Sequence, residues 1–172
     1  MSVPPVDLLF GVSEFSIGLA GFSGIIAVFA GRDGRWAAAD RYRGLILILT
    51  SLIPGFVSFI ALRLGTIGLS EQIVWRSSQA VFVAAIVTSL FVGITGAREI
   101  SDGERQVFSS RYGDFFMSGT ALNGAVQLLG SFGGPGTLTF TVLFFGLVRQ
   151  LRVGAIQFGR IIFVRRGQSG GA

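Results

Sequence analysis

A carboxylate at position 14, arginines at 149, 152 and 160, and amides at 123 and 127 interrupt long apolar stretches, and these are the side chains able to do chemistry. Glu14 lies about seven residues into the first apolar run, roughly 10 Å deep at the helical rise of 1.5 Å per residue. An ionised group at that depth is costly and implies a partner or water. Arg63, Arg76 or the amides of a neighbouring helix are the expected partners. Arg149, Arg152 and Arg160 fall within an arc of about 80° on a helical wheel, a basic stripe that lines an aqueous cavity or anion path, or snorkels to headgroups. Asn123 and Gln127 are four apart and share a face with Gly119, where amides either glue helices together or line a polar path.

The missing residue types exclude more than the present ones suggest. The chain has no cysteine and no histidine, and all 14 basic residues are arginine. Disulfides, thiolate nucleophiles, imidazole proton shuttles and lysine Schiff bases are therefore out of reach. With Glu14 the lone acid in the apolar runs, no acid–base pair or metal cluster assembles there. The expectation is a protein that is not an enzyme and carries no cofactor and no metal. Glu99, Asp102, Glu104 and Asp114 form an acidic connector, but arginines are interspersed among them and a solvated loop is the better reading.

The elements that position these residues follow from composition. Hydrophobic residues make up 51% of the chain, charged residues 13%, and the mean hydropathy is +0.69. A soluble domain carries about a quarter charged residues. Gly44 to Leu62, Ser77 to Ala97 and Phe115 to Val148 contain no ionisable side chain. Each run is long enough to cross a bilayer core, which takes about 20 apolar residues as helix. The prediction is an all-α polytopic transmembrane bundle forming one integral domain, residues 1–172, with five spans near 8–30, 44–62, 78–97, 115–130 and 137–163. SFGGPG (Ser131 to Gly136) divides the last uncharged stretch, because a Gly-Pro cluster signals a turn. The first span is expected to be permanent rather than a signal peptide, since MSVPPVD has no basic stretch before it.

Charge asymmetry orients the spans. Twelve arginines fall on one side of this topology and only Arg63 and Arg76 on the other. The positive-inside rule then gives an outside N-terminus and a cytoplasmic C-terminus. Glu14 and the arginine stripe lie in opposite leaflets on this reading. Trp36, Tyr42, Trp75 and Tyr112 sit at proposed helix ends, where amphipathic rings favour the interface. Pro54-Gly55 is expected to kink the second span. Ser16, Ala20 and Gly24 form a small-residue stripe suited to close helix packing, with Glu14, Gly18 and Gly21 on a neighbouring face. The net charge of +5 and pI near 11.2 fit basic loops facing anionic headgroups, not nucleic acid.

The run GFSGIIAVFAGRDGRWAAADRYRG (Gly21 to Gly44) and QFGRIIF (Gln157 to Phe163) resemble a group of small bacterial multi-spanning membrane proteins without assigned function. The likeness covers about a fifth of the chain. It implies a bacterial inner (plasma) membrane protein and transfers no site; Arg149 and Arg152 depart from the uniformly apolar last helix it leads one to expect. Two functions compete. One is a small homo-oligomeric ion channel or transporter subunit with a polar, arginine-lined path for an anion. The other is a non-transporting anchor or accessory subunit bound to a membrane partner protein.

Overall fold

The computed structural model describes residues 6–31, 38–98, 110–132 and 136–169, with side chains for 6–25, 42–98, 117–132 and 138–159. In a bilayer every backbone N–H and C=O must find a partner inside its own segment, so apolar runs fold as helix. The described chain is helical throughout its regular structure: α1 (Val6–Gly31), α2 (Ala38–Thr66), α3 (Glu71–Arg98), α4 (Ser110–Phe132) and α5 (Gly136–Ser169). Val6–Ile25, Tyr42–Thr66, Glu71–Arg98 and Leu138–Gly159 are each long and apolar enough to cross a membrane. The expected span at 115–130 lies on α4 but is not among these four. Its described side chains cover only 117–132, too short a stretch on its own.

α2 and α3 extend beyond the expected 44–62 and 78–97, so Arg63 and Arg76 lie within helices instead of a connector. The join between them is tight. Gly68 takes φ +77°, a left-handed conformation that glycine adopts without cost. The Ser70 carbonyl then accepts the first bond of α3 from the Val74 amide at 3.0 Å. α2 runs unbroken through Pro54. α4 ends at Phe132 and α5 begins at Gly136, at the expected Gly-Pro turn; 133–135 lie outside the described residues. Trp36 and the Tyr112 side chain also fall outside them.

The helices form a closed ring in chain order, α1 against α2, α2 against α3, α3 against α4, α4 against α5, and α5 back against α1. α5 also packs on α2 and α3, and so touches all four other helices. Small residues set the register. Ser16 of α1 lies against Gly55 of α2, and Leu19, Thr50 and Ser51 converge on Gly154 of α5. One turn further, the Phe22 and Phe158 rings meet edge-on at 6.4 Å. An apolar cluster with Leu9, Val57, Phe82, Leu143 and Leu147 fills the half of the bundle nearer Val6. Trp75, in the first turns of α3, is buried there, its ring 4.9 Å from Phe140.

The distribution of polarity is inverted relative to a water-soluble bundle. Ser51, Ser58, Ser78, Gln79, Gln127 and Gln150 are fully buried, while Phe22, Phe56, Phe59, Phe91, Phe132 and Phe145 are exposed. An apolar exterior this extensive is tolerated by lipid and penalised by water. With the four long apolar helices, it suggests a membrane protein.

Candidate polar seam

The interior amides line up along one contact. Gly119, Asn123, Gln127 and Gly130 recur every three or four residues, so they occupy one stripe of α4, and that stripe faces α5. The facing stripe on α5 is Thr139, Val142, Gly146 and Arg149. Nearest the Gly136 end, Gln79 of α3 donates from Nε2 to the Thr139 carbonyl at 3.1 Å. One turn deeper, Gln127 donates from Nε2 to the Val142 carbonyl at 2.7 Å. Asn123 donates from Nδ2 to the Gly146 carbonyl at 3.3 Å. Each carbonyl oxygen has two lone pairs, so it accepts a side-chain proton while keeping its place in the helix.

Glycine makes this proximity possible. A Cβ on Gly146 would overlap the Gln127 amide and lie 2.9 Å from the Phe82 ring. At the deepest rung, a Cβ on Gly119 would overlap the Arg149 guanidinium. The bare backbone of α4 at that point lets the cation lie against the helix. Arg149 lies thirteen residues after Gly136, the first residue of the 34-residue α5, and so well inside the helix.

The polar atoms of the buried amides are used unevenly. Gln79 and Gln127 each leave Oε1 buried without a hydrogen bond, and Gln150 leaves both amide atoms so. Arg149 Nη1 is buried and unpartnered, and no acid pairs with the guanidinium among the described residues. Buried polar atoms are normally satisfied, and Nη1 is an exception on a half-buried guanidinium. Chemically the seam offers a fixed positive charge with amide groups above it. It offers no nucleophile and no acid–base pair among the described residues.

Of the residues singled out by sequence, Asn123, Gln127 and Arg149 come together on this seam; Glu14 and Arg152 do not. Glu14 is exposed on α1, on the side opposite the buried line Leu9, Val12, Ser16, Leu19 and Ser23. It pairs with neither Arg63, Arg76 nor the α4 amides. Arg152 is exposed on α5, so the expected stripe divides into one inward and one outward cation. The Arg160 side chain lies outside the described residues. The separation of Glu14 and the arginines into opposite leaflets does not hold. α1 and α5 are parallel, and Leu19 is level with Gly154; Glu14 and Arg149 each sit five residues before that point. Ser16 packs on Gly55, while Ala20 and Gly24 are half-buried. Sequence reasoning passed over Gln79 and Gln150, although amides in otherwise apolar segments are signal enough.

No protein-family model, curated protein or solved structure matches this chain.

Proposed function

We propose that the chain is a small five-span membrane transport subunit that takes a small inorganic anion at Arg149. The observation that carries this reading is the unpartnered Arg149 Nη1, buried well inside α5 with the orphaned amide atoms of Gln150 next to it in sequence. Polar and charged groups kept at such depth mark substrate and ion pathways more often than structural need. An anion resting on the guanidinium neutralises it, and amide N–H groups such as Gln150 Nε2 replace part of the hydration shell. The orientation adopted here is N-terminus outside and C-terminus inside, from the arginine asymmetry, in a bacterial inner membrane. The close packing at Gly146 favours a binding step over a wide water-filled pore.

The experiment is anion flux in proteoliposomes holding wild type, Arg149→Gln or Arg152→Gln. Flux in the wild type that Arg149→Gln abolishes and Arg152→Gln largely retains supports the reading. Absence of flux from folded wild-type protein under every gradient sinks it and leaves the accessory-subunit reading. That second reading draws on a specific feature, the outward face of α1, where a Cβ on Gly11, Gly18 or Gly21 would meet nothing within 4 Å.

A further inference from the structure

Two opposite charges face outward from this bundle at nearly the same depth. On α1, Phe10, Glu14, Ile17, Gly21 and Ile25 are all exposed and recur every three or four residues, forming one outward line. On α5 the corresponding line is Phe145, Val148, Arg152 and Ile156. The depth comparison comes from contacts inside the protein. Leu19 is level with Gly154, so Glu14 lies five residues above that plane and Arg152 two. At 1.5 Å per residue they differ in height by about 4.5 Å, within reach of a glutamate and an arginine side chain.

Both charges also lie well inside their helices. Glu14 is two residues above Ser16, which sits against Gly55 in the interior of α2 (Ala38–Thr66), and Arg152 is sixteen residues into α5. Among the described residues neither charge has a partner: Glu14 and Arg152 make no ion pair with each other or with any other of them. Lipid tails offer them nothing.

The two outward lines are on one side of the molecule. α1 and α5 pack directly against each other, with α2 behind both. On each helical wheel the charged residue points roughly 110° away from the neighbouring helix, on the side opposite α2. Glu14 and Arg152 therefore share one composite face. A twofold axis along the membrane normal keeps every residue at its own depth. It sets α1 of one copy opposite α5 of the other, and the reverse.

We infer that this α1/α5 face is a homodimer interface, in which Glu14 of each copy pairs with Arg152 of the other. The glycines do not assign it by themselves. They allow it, because Gly11, Gly18 and Gly21 have open space beside them and leave α1 a smooth surface for the approaching helix. The occupant is a second copy because the complementary charge at the matching depth is already on this chain. The inference requires that α1 and α5 cross the membrane, and it does not depend on anion passage.

The chain is free of cysteine, so crosslinking is clean. Membranes containing two differently tagged populations, Glu14→Cys and Arg152→Cys, are oxidised and examined for species carrying both tags. The expected result is a mixed-tag dimer that exceeds either same-tag product. In parallel, dimer fraction is measured by single-molecule photobleaching in bilayers. Glu14→Arg and Arg152→Glu each raise the dissociation constant about 30-fold or more, the usual effect of stranding one partner of a desolvated pair. The exchanged double variant Glu14→Arg/Arg152→Glu restores it. Monomers throughout, an unchanged dimer fraction in the single variants, or failure of the double exchange to restore would overturn the proposal. Absence of flux from a wild type that forms the dimer would count against the anion reading alone.

Discussion

Replacing Gln150 with leucine tests what the seam amides are kept for. The two side chains are close in volume, so packing changes little. Gln150 makes no side-chain hydrogen bond, and both of its amide atoms are buried. Nothing is lost by removing it, and a desolvation penalty of about 1–3 kcal/mol is relieved. Gln127 is the control. It has one short bond, 2.7 Å to the Val142 carbonyl, and one orphaned oxygen. Losing an interhelical bond of this kind in a membrane costs about 0.6–1.7 kcal/mol. Relief of the orphan offsets a similar amount, so Gln127→Leu is expected near neutral. The assay is reversible unfolding in mixed micelles with increasing denaturing detergent, wild type against each variant. Gln150→Leu should be more stable than wild type by about 1 kcal/mol or more, while losing anion flux. Destabilisation by more than about 1 kcal/mol would refute the reasoning, because it would mean that the amide is satisfied in the folded protein.

Gly146→Ala puts a methyl group against both the Gln127 amide and the fully buried Phe82 ring. Overpacking of this kind costs about 1–3 kcal/mol, read in the same unfolding assay. Gly119→Ala meets only the far end of a flexible arginine. Its stability should stay within about 1 kcal/mol of wild type. Flux should fall several-fold as the guanidinium is displaced.

The helical class, the long apolar segments and the break at SFGGPG were legible because charge-free runs of membrane length have few other ways to fold. The extension of α2 and α3 past Arg63 and Arg76 was not. A positive residue near a helix end reads as a connector, yet the helix continues through both positions to a tight glycine turn at Gly68. The amide face of α4 could be read from the four-residue spacing of Asn123 and Gln127. Its partner could not, since which helix lies opposite is fixed by the bundle and not by local sequence. For the same reason the wheel grouped Arg149 with Arg152, which are 60° apart. Gly119 makes room for one on the inner side, and the other is exposed. The level of Glu14 relative to the arginines could not be read because counting along the chain ignores how far each helix is offset from its neighbours. The contacts of Ser16 and Leu19 supply that offset.

The measurement that bears most directly on an anion at Arg149 is thermal unfolding in nanodiscs across a halide titration. Ionic strength is held constant with a bulky organic anion. A ligand bound only by the folded protein stabilises it by about 2.7 kcal/mol at 100 times its dissociation constant. The account predicts a halide-dependent rise in Tm for the wild type, and a flat response for Arg149→Gln. Equal slopes in the two proteins, or no response in either, would contradict it.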